Sequence, residues 1–297
     1  MPAEIIKGLP VATAMREEIA EEVKKMSVQP KLAVVLVGGD EASVVYAESK
    51  IKVGDKLGIK VELHKLEESA SEDDVIKLID KLNADKAVHG ILVELPLPKP
   101  LEKVKANVME RIDPKKDVDG VHPVNRGYLL GDQEDRALVP ATPLSCIALI
   151  EASGVDLDGK RVTLVGRGDT VGRPLASLLI TKDNKQEGGK KKKRNATLTI
   201  CHTGTKDMAG AIKGAEIVVA AAGVPKLVKA DMLAPGQIVI DAAINQLPDG
   251  SICGDVDTEP ASQIVKAITP VPGGVGTLTT AIIMQNLLKA ARLQGVK

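Results

Sequence analysis

The sequence predicts an α/β protein with two domains, each built on a parallel sheet. Three observations support this fold class. Short β-branched segments alternate with longer helical patterns, the alternation begins again after residue 140, and three glycines follow the first strand of the second series. Helices between strands supply the crossovers that parallel strands need, so the alternation favours parallel sheets. The length of 297 residues also favours about two domains.

The first predicted domain, residues 1–140, has a layered αβα arrangement. We predict strands at 31–37, 60–66 and 89–95, and helices at 43–57, 71–83 and 101–110. These elements form a βαβαβ unit before the charged loop RIDPKKDVDGVHP. We place the domain boundary near residue 140 because turn residues cluster there, in GDQEDRALVPATP.

The second predicted domain, residues 141–279, is Rossmann-like with a parallel sheet. We predict strands at 161–166, 196–202, 216–222 and 237–243, with helices from about 171 and at 206–213. The last helix, within 280–297, could pack on either domain. A Lys-rich insert at 182–195 predicts a mobile surface loop, with nucleic-acid binding as the alternative.

Composition excludes several classes of partner. Forty basic and forty acidic residues balance, so no net charge attracts nucleic acid or an anionic membrane. The chain has no Phe and no Trp for base stacking, and neither a secretory signal nor a membrane-spanning apolar segment is apparent. Cys146, Cys201 and Cys253 lack the paired spacing of a metal or redox site. We therefore expect a soluble cytoplasmic protein with reduced cysteines, no metal and a small-molecule ligand.

The segment VTLVGRGDTVGRP, residues 162–174, leads from a strand through glycines into a helix. Such a turn directs backbone N–H groups and a positive helix end toward an anion. The spacing G-x-G-x-x-x-G is looser than the common dinucleotide fingerprint, so a plain strand-to-helix turn is the alternative. The candidate cofactor-binding residues in this turn are Gly166, Arg167, Gly168, Val171 and Gly172.

The next strand favours NADP over NAD. NAD-specific sites usually end this strand in a carboxylate that binds the ribose hydroxyls, whereas this strand ends CHTGT. Thr203 and Thr205 can donate hydrogen bonds to a 2′-phosphate, and Arg167 adds a positive charge. Alternatively, His202 and these threonines only cap the following helix.

In the first domain, Tyr46 and Lys50 lie one turn apart on a predicted helix, and Ser43 lies one turn before Tyr46. The alternative interpretation is purely structural: a partly buried tyrosine beside an amphipathic lysine. Short-chain dehydrogenases also use Tyr-x-x-x-Lys, but there the pair follows the glycine turn, and here it precedes it. Two acidic residues add to the candidate site: Glu94 ends a strand, and Asp119 follows Asp117 on a loop, where Asp-Gly could simply form a turn.

Together these motifs resemble the bifunctional methylenetetrahydrofolate dehydrogenase/methenyltetrahydrofolate cyclohydrolase family. The resemblance covers nearly the whole chain, in the order VGGDEASVVYAESKIKVGDKLGI, GILVELPLP, IDPKKDVDGVHPVNRG, PATPLS, GKRVTLVGRGDTVGRPLA, ATLTICHTGT, IVIDAAIN, GDVD and TPVPGGVGTLT. It implies oxidation of 5,10-methylenetetrahydrofolate with NADP⁺, hydrolysis of the methenyl product to 10-formyltetrahydrofolate, and a homodimer.

The resemblance also implies residue roles. Lys50 matches the catalytic lysine, Tyr46 the tyrosine that lines the folate site, and Asp119 the carboxylate that binds the pterin. The substrate site would further include Ser43, Pro272, Gly273 and Gly274. The residues that match the family's cofactor contacts are Gly166, Arg167, Gly168, Thr203 and Ile244. The predicted cofactor site further includes Val171, Gly172, His202, Thr205 and Thr142.

Glu94 departs from the family, which commonly has glutamine there as the partner of the catalytic lysine. A carboxylate would stabilise protonated Lys50 and oppose its use as a base, although Glu94 could itself carry protons. We therefore expect the dehydrogenase activity to survive and the cyclohydrolase activity to be weak or altered. The alternatives are a dehydrogenase without cyclohydrolase activity and a catalytically silent nucleotide sensor.

Overall fold

The computed structural model describes residues 2–182, 184–185, 191–192 and 194–297. Its strands are β1 (Glu4–Ile5), β2 (Lys31–Val37), β3 (Lys60–Leu66), β4 (Gly90–Val93), β5 (Arg161–Val165), β6 (Asn184–Lys185), β7 (Lys191–Lys192), β8 (Thr197–Cys201), β9 (Ile217–Ala220), β10 (Ile238–Asp241), β11 (Asn245–Gln246), β12 (Ile252–Cys253) and β13 (Ala267–Ile268). Its α-helices are α1 (Gly8–Val23), α2 (Glu41–Leu57), α3 (Glu72–Ala84), α4 (Lys99–Glu102), α5 (Lys105–Glu110), α6 (Pro123–Leu130), α7 (Ala141–Ala152), α8 (Gly172–Leu179), α9 (Met208–Lys213), α10 (Thr258–Ala261) and α11 (Thr279–Leu293).

The chain folds into two compact units, named here by their sheets. The three-stranded unit comprises Ala14–Gly127, Ala137–Val139 and Thr280–Lys297. The six-stranded unit comprises Met1–Thr13, Tyr128–Arg136 and Pro140–Thr279. Both units are discontinuous in sequence because β1 pairs with β13, and because Asn286 of α11 donates hydrogen bonds to the Val118 and Val139 carbonyls.

The sheet of the three-stranded unit is parallel, with the order β3-β2-β4. Strand β2 is central and is buried from Leu32 to Val37, as expected where both faces of a parallel strand are covered. Val35 belongs to the same core cluster as Val75 and Ile79 of α3. The βαβαβ pattern predicted from the first half of the sequence is therefore confirmed.

The sheet of the six-stranded unit has the order β1-β13-β10-β9-β5-β8, and each neighbouring pair is parallel. The two-domain α/β fold class is thus confirmed. From β5 the chain first adds β8 on one side and then β9 on the other. In α/β sheets, ligands bind at the carboxyl ends of the strands where the strand order reverses in this way.

Some elements differ from the sequence prediction. The helix predicted at 101–110 is two helices, α4 and α5, because Val104 leaves the helical conformation with φ −109° and ψ 9°. Helices α1 and α6 are not predicted from the sequence. The mobile loop predicted at 182–195 falls partly outside the described residues. None of the helices in the described ranges is long and apolar enough to cross a membrane.

Candidate active site

Helix α2 sets the spacing of the candidate catalytic side chains. Asp40 caps the start of α2, where its carboxylate accepts a hydrogen bond from the Ser43 backbone N–H at 2.9 Å. Gly58 ends the helix at φ 74°, a left-handed conformation that favours glycine. Tyr46 and Lys50 lie one turn apart between these caps, and Lys50 Nζ is 5.8 Å from the centre of the Tyr46 ring.

Lys50 and Glu94 form a buried ion pair. Glu94 follows the last residue of β4, and its Oε1 lies 2.7 Å from Lys50 Nζ. Lys50 is 5% exposed and Glu94 is 8% exposed, so solvent screens the pair weakly. Losing either partner would leave an uncompensated buried charge. Tyr46, in contrast, is 51% exposed.

Asp119 lies within electrostatic range of this pair. Burial raises the pKa of Asp119 to about 7, and the neighbouring Asp117 carboxylate contributes in the same direction. The Lys50 charge lowers the pKa of Asp119, whereas the Glu94 charge raises it further. Asp117 is fully buried and accepts a hydrogen bond from the His122 backbone N–H at 2.8 Å. Asp117 therefore shapes the loop, and Asp119 is a carboxyl group that changes charge near neutral pH.

Ser43 lies behind the exposed face of α2. It is 2% exposed, and its Oγ is 2.8 Å from Asp40 Oδ2 and 3.3 Å from the Leu95 carbonyl oxygen. The single hydroxyl hydrogen can serve only one of these acceptors at a time. These contacts connect the start of α2 to the residue that follows Glu94. Direct substrate contact by Ser43 stays a prediction.

The glycine turn follows β5 in the six-stranded unit. Gly166 has φ 132°, and a Cβ there would overlap the Ala221 carbonyl oxygen. A Cβ at Gly172, the first residue of α8, would come within 2.8 Å of Arg167 Cα. A Cβ at Gly168 would meet no described atom within 4 Å. The turn is therefore closed on its sheet side and open at Gly168, an arrangement that can admit a phosphate against the backbone.

Polar residues flank the glycine turn. Arg167 and Thr203 are exposed, and Thr203 lies two residues beyond the end of β8. His202 donates its backbone N–H to Thr205 Oγ1 at 3.0 Å, and its ring Nδ1 accepts a hydrogen bond from the Gly204 N–H at 3.1 Å. The segment after β8 is thus a closed turn that leaves the Thr203 side chain exposed.

The alternative in which His202 and the threonines cap the next helix is wrong. Asp207 caps α9, and its carboxylate accepts a hydrogen bond from the Gly210 N–H at 2.8 Å. Aspartate is a stronger cap than threonine, so the later acidic residue takes this position.

The remaining predicted site residues also lie in the six-stranded unit. Thr142 is half-buried in the first turn of α7, and Val171 is half-buried immediately before α8. Ile244 is 54% exposed after β10. In the loop after β13, Pro272 and Gly273 are exposed and Gly274 is buried. Contact between these residues and a ligand stays a prediction.

Sequence reasoning missed three charged residues. Arg126 lowers the pKa of Asp119 and is visible in the sequence only as part of the motif ending VNRG. Asp241 and Asp255 are 1% and 0% exposed in the six-stranded unit. The sequence did contain a signal for both aspartates: an acidic residue lies within the apolar segment IVIDAAIN, and another follows the glycine of GDVD. A carboxylate in such a segment must be buried with hydrogen-bond partners.

Two family models match the chain. Residues 6–119 match the catalytic domain of tetrahydrofolate dehydrogenase/cyclohydrolase, and residues 140–295 match its NAD(P)-binding domain. The chain belongs to the tetrahydrofolate dehydrogenase/cyclohydrolase family. Membership confirms the resemblance inferred from the motifs, and it assigns the glycine turn to the NAD(P)-binding domain and the Lys50–Glu94 pair to the catalytic domain.

Relatives of this family match both units. Bifunctional protein FolD 2 of Desulfitobacterium hafniense is 52% identical over 98% of each chain. The solved bifunctional methylenetetrahydrofolate dehydrogenase/cyclohydrolase of Campylobacter jejuni is 38% identical, with a TM-score of 0.89 over 98% of this chain and 99% of that one. The Trypanosoma brucei enzyme, solved with NADP cofactor and an inhibitor, is 32% identical, with a TM-score of 0.88 over 99% and 98%.

We predict that Asp119 titrates near pH 7. Because the Glu94 charge raises the pKa of Asp119, Glu94→Gln should lower the midpoint by about 0.5–1 pH unit. NMR of protein with ¹³C-labelled aspartate carboxyls measures this midpoint. The Asp119→Asn variant identifies the Asp119 signal. Burial also raises the pKa of Asp241, to about 6, and the Asp241→Asn variant identifies that second signal. An Asp119 midpoint near the ordinary value of about 4 would contradict the prediction.

Proposed function

We propose that this chain oxidises 5,10-methylenetetrahydrofolate with NADP⁺ and hydrolyses the 5,10-methenyl product to 10-formyltetrahydrofolate, in one-carbon metabolism. The observation that carries the proposal is the buried Lys50–Glu94 pair within electrostatic range of Asp119, in the part of the chain that matches the family's catalytic domain. The bifunctional relative at 52% identity and the related structure with NADP cofactor support it.

Asp119 and Tyr46 would position the folate. A carboxylate can accept two hydrogen bonds from the ring N–H and amino groups of a pterin. Tyr46 is 51% exposed, so its ring offers a flat apolar surface against which the folate ring would pack. Hydride transfer needs close and aligned carbon atoms rather than an acid or base, so the oxidation depends on such positioning.

The hydrolysis needs proton transfer. Water attacks the methenyl carbon and loses a proton, and the adduct then collapses as one C–N bond breaks and the departing nitrogen gains a proton. Lys50 would handle these protons near the reacting carbon. Glu94 Oε1 lies 2.7 Å from Lys50 Nζ, so loss of a proton from Lys50 would break a buried ion pair, which opposes the action of Lys50 as a base.

The six-stranded unit would bind the cofactor. The open backbone at Gly168 suits the pyrophosphate, and the exposed side chains of Arg167 and Thr203 suit the 2′-phosphate. When bound, NADP⁺ accepts the hydride. The segment after β8 carries no carboxylate at 202–205 that would repel the 2′-phosphate.

We predict that Arg167→Gln raises the KM for NADP⁺ on the order of tenfold, because it removes a charge-assisted hydrogen bond to the 2′-phosphate. The KM for NAD⁺ should change less than about threefold, since NAD⁺ lacks that phosphate. The measurement is methylenetetrahydrofolate oxidation with each cofactor. Arg161→Gln, at the opposite end of β5, is the matched control.

Two outcomes of this assay would count against the proposal. Equal losses with NADP⁺ and NAD⁺ would contradict the role of Arg167. If the wild-type protein does not reduce NADP⁺ in the presence of methylenetetrahydrofolate, the alternative of a catalytically silent nucleotide sensor would be favoured.

We predict that Glu94→Gln increases the cyclohydrolase rate at pH 7 by about three- to tenfold, because an amide accepts the Lys50 hydrogen bond without stabilising its charge. The dehydrogenase rate should change less than about twofold, since hydride transfer needs no base. Formation and decay of the methenyl intermediate report both rates. Glu48→Gln, a substitution of an exposed residue on the same helix, is the control.

Equal cyclohydrolase rates in the wild type and Glu94→Gln would refute the prediction. A wild type with no cyclohydrolase activity would favour the dehydrogenase-only alternative.

The proposal includes a homodimer formed through β8. This strand is an edge of the six-stranded sheet, and its Ile200 is 46% exposed. An edge strand presents unpaired backbone groups, and a twofold axis would pair it with the same strand of a second copy.

We predict that sedimentation velocity shows a dimer for the wild type and a shift to monomer for Ile200→Lys. Ile5→Lys, on the opposite edge strand, should leave the dimer intact, and a monomeric wild type would contradict the assignment.

A cytoplasmic location and the absence of a nucleic-acid partner belong to the same proposal. The charge balance of the chain supports the absence of a nucleic-acid partner, and the polar, small-molecule nature of the proposed substrates is compatible with a cytoplasmic location. Fractionation of expressing cells and filter binding with DNA and RNA test them.

A further inference from the structure

Asp255 holds the loop that follows β9. Its Oδ2 accepts hydrogen bonds from the Ala222 and Gly223 N–H groups at 2.5 and 2.9 Å, and its Oδ1 accepts one from the Val224 N–H at 2.8 Å. Asn245 Nδ2 donates a fourth to Oδ1 at 2.9 Å. One buried carboxylate thus fixes three consecutive residues after β9 and one side chain after β10.

Asp241 holds Asp255 in turn. Asp241 is the last residue of β10. Its Oδ1 accepts hydrogen bonds from the Ala243 and Asp255 N–H groups, both at 3.1 Å. Its Oδ2 accepts a hydrogen bond from the Val256 N–H at 2.8 Å. A Cβ at Gly254 would overlap the Asp241 carboxylate, so glycine there is what permits this approach. The two aspartates are therefore linked in series, from the end of β10 to the loop after β9.

The loop held by Asp255 adjoins the glycine turn. A Cβ at Gly166 would overlap the Ala221 carbonyl and come within 3.0 Å of Ala222 N, so the two segments are in close contact. Strands β9 and β10 lie on the opposite side of β5 from β8. A dinucleotide whose 2′-phosphate lies beyond β8 must extend its nicotinamide half over the loops after β9 and β10.

We propose that Asp255 is a positioning residue for the nicotinamide half of the cofactor, and that Asp241 positions Asp255. The inference rests on the proposed function. Asp255 would act without touching the cofactor, by setting the backbone at 222–224 and, through Asn245, the segment that presents the exposed Ile244. A carboxylate is required because four donors converge on its two oxygens, whereas an amide would direct an NH₂ group at two of them.

The test separates the two halves of the cofactor. Calorimetric titration of Asp255→Asn should show NADP⁺ affinity reduced by about five- to tenfold, and 2′,5′-ADP affinity, which reports only the adenosine half, changed less than about twofold. The kcat for methylenetetrahydrofolate oxidation should fall at least about tenfold, since misplaced carbons slow hydride transfer. Asp249→Asn, which alters only an exposed turn carboxylate next to Ser251, should change none of these values.

Further variants keep the test decisive. Asn245→Ala removes one of the four donors and should give the same pattern, weaker, even if Asp255→Asn does not fold. The double variant Asp241→Asn/Asp255→Asn should be no worse for NADP⁺ than Asp255→Asn, because the two residues act in series. Equal losses for NADP⁺ and 2′,5′-ADP, or no loss for either, in the folded variants would overturn the inference. A wild type that binds neither nucleotide would instead refute the proposed function.

Discussion

The buried ion pair between Lys50 and Glu94 constrains how α2 packs against the end of β4 in the three-stranded unit. Neither charge can be buried alone, so α2 and the end of β4 must keep the register that brings Nζ and Oε1 to 2.7 Å. Tyr46 then takes its place one turn away on the same helix. Asp119 responds to both charges of the pair, in opposite directions, while burial is the main cause of its raised pKa. The pair therefore modulates the charge of a carboxyl group that burial has already brought near neutral pH.

Parallel strands explain why the polar groups gather where they do. Glu94, Asp241 and the turn at Gly166 all stand at or just after the carboxyl ends of strands. Backbone N–H groups that no longer pair within a sheet need acceptors at these ends. In the six-stranded unit, the buried carboxylates of Asp241 and Asp255 supply such acceptors.

The strands with the strongest patterns are those that sequence reasoning locates best. Strands β2 and β3 have the predicted bounds, and turn residues, including Pro30, Gly38 and Gly58, border these two segments. The break at Val104 is missed because no glycine or interior proline marks it. Residue patterns single out Lys50, Asp119 and the glycine turn as candidates, and the family resemblance assigns their roles. The hydrogen bonds of Asp255 cannot be predicted from the sequence. Three of its four partners are backbone N–H groups, which every residue except proline carries.

The pairing of β1 with β13 has a consequence for synthesis of the chain. Glu4 and Ile5 take their places in the sheet only after Ala267 and Ile268 exist, more than 260 residues later. Helix α11 likewise completes a unit whose sheet begins at Lys31. A nascent chain on the ribosome must therefore wait with both units unfinished, and contacts of such long sequence separation slow folding. Shortening the carboxyl terminus would thus disturb residues that were made first.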